Sequence, residues 1–411
     1  MKRSRVANCL LGAVMIAGVA GGGYFSVHQG SKALVFSPPQ MLSALWNSYK
    51  KVYVASDGRT IDPGHNNTTT SEGQSYTMMR AVWMGDKETF DTSWGWTHRA
   101  LERPDHVFAW LYGKQGDGTY GILADQGGMT SASDADVDIA LSLVFAYARW
   151  QDPAYLESAS TTIAAIWNAE VITIQGTPYL TADSLEKTST SPWAAVNPSY
   201  LNPAAFRIFA RIDTAHPWLE LVDSSYDLIA RASDSTLDKK KSADLPPDWI
   251  RIHKQTGAIE PLHDTPETTT DFGYNALRLP WRLTLDWQWF HDSHDQAILK
   301  RFSFLSEEWN KNSFLYATYA HDGSTATGTA HESPAMYGGT IGYFMTVDPS
   351  LAPVVYTTKL ESLFSPDNNT WNTDMSYYGD NWAWFGIALY NDLLPNIAAS
   401  LPRLSLDQAS L

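Results

Sequence analysis

The chain has 411 residues, of which 44% are hydrophobic and 18% are charged, and its net charge is −15. This much apolar material can fill one large core or two smaller ones, and the acidic balance argues against binding to nucleic acid phosphates or anionic polysaccharides. The one cysteine, Cys9, lies in an N-terminal apolar segment, so the rest of the chain has neither disulfides nor a thiol nucleophile.

The first element in chain order is a predicted targeting segment. Lys2, Arg3 and Arg5 precede an uncharged run, rich in glycine and alanine, at residues 6–25. This pattern is typical of a secretory signal or a single-span anchor, and the lack of a clear Ala-x-Ala site favours the anchor. Because a positive flank stays in the cytoplasm, residues 1–30 predict an extracellular or cell-surface protein that meets the membrane only through this segment.

Residues 35–400 are predicted to form one all-α domain. Apolar residues recur at helical spacing in about twelve segments, which follow one another in antiparallel-looking pairs. The predicted helices cover residues 41–54, 72–84, 87–101, 135–150, 153–167, 202–212, 216–232, 273–291, 295–312, 335–347, 350–364 and 380–393. Six hairpins around one axis would form an (α/α)6 barrel, a toroid whose long loops shape a cleft, although an irregular α-bundle also fits. A short strand is expected at residues 171–174.

The first candidate for chemistry is Glu72, at the start of a predicted apolar helix and after the polar loop 65–71. A carboxyl group at such a junction is half buried, which raises its pKa and lets it donate a proton near neutral pH. The acid of a glycoside hydrolase has this role. Helix capping by Ser71, with an acid in the first turn, explains the same residues without chemistry.

Two further clusters also lie at predicted helix starts. Asp134, Asp136 and Asp138 precede an apolar helix at alternating positions; capping accounts for one or two of them, and calcium is a weaker option because the glycine spacing of an EF-hand loop is missing. The third cluster, residues 271–282, mixes polar and aromatic groups, and an ordinary amphipathic helix start explains it as well. The histidines are scattered without zinc spacing, so we expect no metal and no cofactor.

Taken together, these motifs resemble those of glycoside hydrolase family 8. The resemblance rests on SEGQSY at residues 71–76, ASDAD at 132–136, NPSYLNPA at 197–204 and YNALRLPW at 274–281, and it extends from about residue 46 to residue 384. It implies an (α/α)6 barrel and an inverting hydrolysis of β-1,4-linked polysaccharides, the reaction of the endoglucanases, xylanases and chitosanases of that family.

The resemblance also implies roles for single residues. Glu72 matches the general acid, Asp134 the aspartate that contacts the sugar at the cleavage point, and Arg278 an arginine beside the base. Asn275 departs from the pattern, because many members carry an aspartate there that activates the attacking water. An amide cannot act as that base.

Three explanations of Asn275 stay open at this stage. The base can come from the preceding loop, where Glu267 and Asp271 are favoured because they lie nearest the helix start. It can come from elsewhere, such as Asp134. The third explanation is an impaired enzyme, or a non-catalytic glycan-binding protein at the cell surface.

The chain is therefore predicted to be an extracytoplasmic endo-hydrolase of a β-1,4-glucan, with chitosan and then xylan as the alternative substrates. Its 17 tryptophans and 20 tyrosines suit a cleft that stacks sugar rings. We expect a monomer with a polysaccharide substrate and no nucleic acid partner. The predicted substrate-binding residues are Trp110, Tyr200, Tyr274, Asn275, Arg278 and Trp281.

Overall fold

Helices make up most of the computed structural model, which describes residues 36–326, 328 and 330–402. The α-helices among these residues are, in chain order, α1 (Pro38–Tyr53), α2 (Ser71–Met84), α3 (Lys87–Ala100), α4 (Ser133–Trp150), α5 (Pro153–Glu170), α6 (Ser184–Thr188), α7 (Pro203–Phe209), α8 (Trp218–Asp234), α9 (Arg278–Phe290), α10 (Ser293–Leu299), α11 (Phe304–Asn312), α12 (Pro334–Val347), α13 (Ala352–Lys359) and α14 (Tyr377–Tyr390). The predicted signal or anchor at residues 1–30 lies outside the described residues, and the domain boundaries 35–400 stay a prediction. Within the described part of the chain, no helix combines the length and apolarity that a membrane crossing requires.

Six helices form an inner ring, in the order α2, α4, α7, α9, α12 and α14, with each packed on the next. The ring closes where Arg80 on α2 forms an ion pair with Asp380 on α14, with 2.9 Å between Nη1 and Oδ1. Each inner helix has an outer partner: α3, α5, α8, α10 and α13 pack on the first five, and α1 packs on α14. This arrangement confirms the predicted all-α (α/α)6 barrel.

The inner helices are buried on nearly every face, which requires small residues where two backbones meet. A Cβ atom added to Gly338 on α12 would lie 1.9 Å from the carbonyl oxygen of Trp382 on α14. A Cβ atom added to Gly386 on α14 would lie 2.5 Å from Cα of Gly338. Glycine is needed at these positions for close approach. The packing of α12 on α14 depends on it.

We expect Gly338→Ala to destabilise the fold by about 1–3 kcal/mol, the usual cost of overpacking a well-packed core. The added methyl group meets backbone atoms, which cannot rotate away. Urea unfolding followed by circular dichroism measures the loss. Gly116→Ala is the matched control, because a Cβ atom there would meet nothing within 4 Å; equal effects of the two changes would contradict this account of the α12–α14 contact.

Short strands tie the loops at the helix starts. The described strands are β1 (Thr69–Thr70), β2 (Leu111–Lys114), β3 (Tyr120–Ile122), β4 (Val171–Ile174), β5 (Thr177–Leu180), β6 (Trp193–Val196), β7 (Ile250–His253), β8 (Ile259–Pro261), β9 (Phe364–Ser365) and β10 (Thr370–Trp371). They form antiparallel sheets in the orders β1-β2-β3, β4-β5, β6-β7-β8 and β9-β10. The strand expected at residues 171–174 is confirmed as β4. Since β1 leads directly into α2, its pairing with β2 fixes where that helix begins.

Several predicted helices differ from the structure in their bounds: the helix predicted at 350–364 ends at Lys359, and the helix predicted at 202–212 ends at Phe209. Two further differences have a clear physical cause. The segment 295–312 is divided into α10 and α11, because α10 ends in tightened turns, with the N–H of Phe302 bonded to the carbonyl of Leu299, and Phe302 enters the core. The helix predicted from residue 273 begins only at Arg278. The N–H groups of Gly273, Asn275 and Ala276 before it bind a side-chain carboxylate instead of helix carbonyls. The short α6 was not predicted.

Candidate active site

Three helix starts converge on one guanidinium group. Arg278, the first residue of α9, donates from Nη1 to Oε2 of Glu72 at 3.1 Å and to Oδ2 of Asp134 at 2.7 Å. Glu72 lies in the first turn of α2 and Asp134 in the first turn of α4. Helix N-termini favour carboxylates through their partial positive charge, and the arginine adds a full charge. The fold thus brings together three residues from separate sequence motifs.

Neutral groups hold the rest of the Arg278 side chain, which is 1% exposed. Nε donates to Oγ of Ser199 at 3.0 Å, and Nη2 donates to Oδ1 of Asn275 at 2.8 Å. The cation lies 5.1 Å from the centre of the Tyr200 ring. Because the guanidinium is planar and bonded on several sides, its orientation is fixed. It sets the spacing between the two carboxyl groups.

Glu72 has the surroundings that a proton donor needs. Its side chain is 26% exposed, so a ligand can reach it although most of its surface is buried. Burial raises the pKa of Glu72 to about 7; the charge of Arg278 opposes this shift, and the charge of Asp134 adds to it. A carboxyl group with a pKa near neutrality still carries a proton at working pH and can release it to a leaving group.

Helix capping does not account for Glu72. The N-cap of α2 is Thr70, whose hydroxyl accepts a hydrogen bond from the N–H of Gly73 at 3.0 Å. Ser71, the cap considered from the sequence, lies inside the helix. The Glu72 carboxyl is therefore free to point across the barrel, where it also hydrogen-bonds with the hydroxyl of Tyr76.

The aspartates at the start of α4 likewise have partners on other elements. Asp134 binds the guanidinium described above, and Asp138 forms an ion pair with Arg282 on α9 at 2.9 Å. Asp136 accepts a hydrogen bond from the N–H of Phe108 at 3.1 Å. The N-cap position of α4 forms no side-chain hydrogen bond. All three acids thus serve tertiary contacts, and capping does not explain the cluster.

Asp248 is a functional neighbour that the sequence reasoning missed. Its Oδ1 accepts hydrogen bonds from the N–H groups of Gly273, Asn275 and Ala276, at 3.2, 3.0 and 2.6 Å. Burial raises the pKa of Asp248 to about 7, and these three N–H groups, with the charge of Arg278, oppose the shift. Asp248 therefore builds the turn that carries Asn275 to Arg278. In the sequence, Asp248 is marked only by its position between two prolines and a tryptophan, and it lies 25 or more residues before the N–H groups that it binds.

The two loop residues favoured as the base form no hydrogen bond or ion pair with Arg278 among the described residues. Glu267 is exposed in the loop before Asp271. Asp271 is half-buried, and its side chain hydrogen-bonds with Thr269 while the nearby charges are Asp238 and Lys240. Among the described residues, neither acid forms a hydrogen bond or an ion pair with Glu72. The source of the base stays a prediction.

The aromatic residues predicted to bind substrate divide into two groups. Tyr274 is 42% exposed at the cleft, and its ring meets that of Tyr378 edge-on at 5.9 Å. Tyr200 lies against the guanidinium, and Trp110, half-buried, donates from Nε1 to the carbonyl of Gly127 at 3.0 Å. These three can offer a ring face or edge to a sugar.

Trp281 differs from this group. It is 6% exposed, its Nε1 donates to the carbonyl of Phe385 at 3.1 Å, and its ring packs against Trp83 and Trp382 inside the barrel. We therefore assign Trp281 to the core and not to substrate binding. Its place in a motif beside Arg278 could not reveal this, because neighbouring residues of a helix point in different directions.

The site contains acids, an arginine and tyrosines. Within the described residues, no group of three or more His, Cys, Asp or Glu side chains is arranged to hold a metal ion.

Comparisons with known proteins identify the family of this chain. The model of the family described as "Glycosyl hydrolases family 8" matches residues 27–352. An endoglucanase of Escherichia coli strain K12 is 27% identical over 367 residues, which cover 85% of this chain and 90% of that protein.

Solved structures show the same fold. An endo-1,4-D-glucanase from Vibrio fischeri ES114 is 24% identical, with a TM-score of 0.69 over 85% of this chain and 94% of that one. A β-1,3-1,4-glucanase from Paenibacillus sp. X4 is 22% identical, with a TM-score of 0.70 over 87% and 93% of the two chains. The family match spans most of the sequence, so the chain belongs to glycosyl hydrolases family 8 and is a glycoside hydrolase.

Proposed function

We propose that this glycoside hydrolase cleaves internal β-1,4 bonds of a glucan with inversion at the anomeric carbon. One observation carries the proposal: Glu72 is a half-buried carboxyl group with a pKa raised to about 7, fixed opposite Asp134 by a shared arginine. The endoglucanase and β-glucanase relatives support the choice of glucan.

The reaction needs one proton donor and one proton acceptor. Glu72 gives its proton to the oxygen between two sugars as the bond from that oxygen to the anomeric carbon breaks. A water molecule attacks the same carbon from the opposite face, and a base takes the proton that the water loses. Inverting enzymes hold their two carboxyl groups about 6.5–9.5 Å apart to leave room for this water.

Asp134 has a different part in the proposal. Its side chain is 3% exposed, and the ion pair to Arg278 at 2.7 Å holds it in one orientation. Its Oδ1 has no hydrogen-bond partner within the described structure. A buried acceptor without a donor is costly, and a sugar hydroxyl in the cleft would supply that donor. We therefore propose that Asp134 orients the sugar at the cleavage point.

Product analysis tests the function. We expect the protein to release reducing ends from carboxymethylcellulose or mixed-linkage glucan, with viscosity falling much faster than reducing ends appear, as internal cleavage requires. Proton NMR of the first products should show the α-anomer. Chitosan and xylan are assayed beside them as the alternative substrates. No release from any of the four polymers would contradict the proposal.

For the base we propose an acid of the loop before Asn275, either Glu267 or Asp271. We expect Glu267→Gln or Asp271→Asn to lower kcat by about 10²–10⁴-fold, the usual contribution of a general base. Adding Asn275→Asp to the impaired variant should restore part of the lost kcat, because it places a carboxylate beside Arg278. Glu260→Gln is the matched control, because Glu260 is paired with Arg251 at 2.7 Å. If both changes leave kcat intact, the base does not come from this loop.

Asn275 also favours a second candidate, a glycan-binding protein without turnover. The amide oxygen of Asn275 is occupied by Arg278 at 2.8 Å, and its amide cannot accept a proton from water. This candidate predicts binding of cello-oligosaccharides by calorimetry and no cleavage over days. Cleavage of any bound oligosaccharide would eliminate it.

We further propose that residues 1–30 carry the protein out of the cytoplasm and that the protein acts outside the cytoplasm as a monomer. The basic flank and apolar run of the sequence support the first point. Fractionation of cells that produce the full chain, with light scattering of the purified protein, tests both. A cytoplasmic pool alone, or a dimer mass, would contradict them.

A further inference from the structure

Two buried acids behind Asp134 form a pair that the proposed reaction does not use. Asp136 on α4 and Glu170 at the end of α5 are each 0% exposed. One oxygen of each has a donor: Oδ1 of Asp136 accepts from the N–H of Phe108 at 3.1 Å, and Oε1 of Glu170 accepts from the hydroxyl of Ser131 at 2.6 Å. The other oxygen of each has no donor among the described residues.

The two side chains are close enough to form a hydrogen bond with each other once one of them carries a proton. Asp136 and Glu170 hydrogen-bond with each other, and neither forms an ion pair within the described structure. Two buried carboxylates without a donor between them would repel and would both be unsatisfied. One proton between them removes the repulsion and satisfies both oxygens.

The charges around the pair favour keeping this proton. Asp134 on the same helix acts on both acids, and Asp183, in the segment before α6, acts on Glu170, while Arg103 acts on Asp183. Burial first, and then the charge of the partner, holds the pKa of Asp136 well above its usual range, while burial raises the pKa of Glu170 to about 7.

The pair lies where two catalytic helix starts are joined. On the Asp134 side, the carbonyl of Glu170 accepts from the N–H of Thr181 at 2.9 Å, and Thr181 in turn accepts from the hydroxyl of Ser133 at 2.6 Å, one residue before Asp134. Ser131, whose hydroxyl donates to the carboxyl of Glu170, lies two residues before Ser133, the first residue of α4.

On the Glu72 side, Asp136 holds the backbone of Phe108. Two residues later, the carbonyl of Trp110 accepts from the N–H of Ser71 at 3.0 Å, beside Glu72. Glu170 reaches the same point by another route, because its partner Ser131 follows Thr130, whose carbonyl accepts from the N–H of Trp110 at 2.9 Å. The shared proton therefore joins α4, which carries Asp134, to the residue that holds this second route to the Glu72 side.

We propose that Asp136 and Glu170 share a proton and act together as positioning residues that keep Glu72 and Asp134 at their working separation. This inference rests on the proposed hydrolase function for its kinetic part only. When the pH rises far enough to remove the shared proton, the two helix starts separate and activity falls independently of the ionisation of Glu72.

The sign of the pH effect follows from the raised pKa values. A carboxyl group whose pKa is higher in the folded than in the unfolded state contributes stability that is complete below its ordinary pKa and is lost as the pH rises through the folded value. For this pair the loss runs upward from the acidic range through about pH 7 and beyond. A neutral amide in place of one acid supplies a permanent N–H donor and removes most of this dependence.

The test measures the melting temperature of the full chain from pH 5 to pH 9 for Glu170→Gln, Asp136→Asn and the wild type. As the pH rises, we expect the melting temperatures of both amide variants to fall less than that of the wild type. A variant that melts below the wild type at pH 5 should therefore approach or pass it by pH 9. Glu157→Gln, an exposed acid on the same α5, should follow the wild type. Parallel curves for all four proteins would overturn the shared proton, whether or not the protein hydrolyses glucan.

The kinetic arm separates positioning from stability. On glucan at pH 6, we expect Glu170→Gln to keep kcat within about threefold and Glu170→Ala to lose about tenfold or more in kcat with KM nearly unchanged, because small misplacements of catalytic groups cost this much. Wild-type kcat in a folded Glu170→Ala protein would overturn the positioning role. If the wild type hydrolyses no glucan, the proposed function is contradicted. The melting curves then test by themselves whether Asp136 and Glu170 share a proton.

Discussion

Glu72→Gln is expected to lower kcat on β-1,4-glucan by about 10²–10⁴-fold, the usual contribution of a general acid. Glutamine has the same shape, and its amide oxygen can still accept from Nη1 of Arg278, which lies 3.1 Å from the carboxyl group in the wild type. The variant therefore loses the transferable proton and little else. Initial rates of reducing-end release, with cello-oligosaccharide binding by calorimetry, separate lost chemistry from lost binding.

Glu88→Gln is the matched control, because Glu88 is the second residue of α3 as Glu72 is the second residue of α2, yet it is exposed. It should leave kcat unchanged. A Glu72→Gln protein that keeps its rate within tenfold of the wild type would remove Glu72 from the mechanism.

The stability of Glu72→Gln gives a second, independent readout. The pKa of Glu72 is raised to about 7 in the folded protein, so its favourable contribution is complete below its ordinary pKa and is lost as the pH rises through about 7. Above pH 7 the wild type carries a poorly solvated carboxylate that the variant lacks. We expect the variant to melt no lower than the wild type at pH 8, as stability–activity trade-offs at catalytic sites predict.

Arg278→Ala is expected to have the largest combined effect on stability and activity. It removes the cation between Glu72 and Asp134 and leaves their charges without a partner in a buried setting, at a cost of about 3–5 kcal/mol of folding free energy. Arg278→Lys keeps a positive charge, but an ammonium group can replace only some of the side-chain hydrogen bonds that the guanidinium group donates. We expect it to lower kcat/KM by about 10²-fold, as the loss of one preorganised donor does.

The pH profile of Arg278→Lys or Arg278→Ala tests the electrostatic role directly. In the wild type the charge of Arg278 opposes the rise in the pKa of Glu72, so activity should fall above about pH 7 as the acid ionises. Weakening that charge raises the pKa of Glu72 further and shifts the alkaline limb of kcat/KM to higher pH. Arg251→Lys is the control, because Arg251 is a half-buried arginine paired with Glu260 and not with the acids of the site. An alkaline limb that stays in place would show that Arg278 does not set the pKa of Glu72.

Much of the architecture could be predicted because it depends on local patterns. Apolar periodicity located most of the helices, including α2 and α4, since burial of one face repeats with the helical turn. It failed at residues 300–303, where two short helices replace one, because the burial of Phe302 is decided by the packing of other helices.

The sequence by itself determined the family, the acid at the mouth of α2, the aspartates of α4 and the presence of an amide at position 275, because each is a matter of residue type and order. The tertiary structure alone decided that Arg278 bonds to Glu72 and Asp134, that Asp248 builds the turn before it, that Trp281 belongs to the core, and that Asp136 meets Glu170. Charge and burial act through space between segments far apart in the chain, so the pKa of a carboxyl group is a property of the folded molecule and not of its motif.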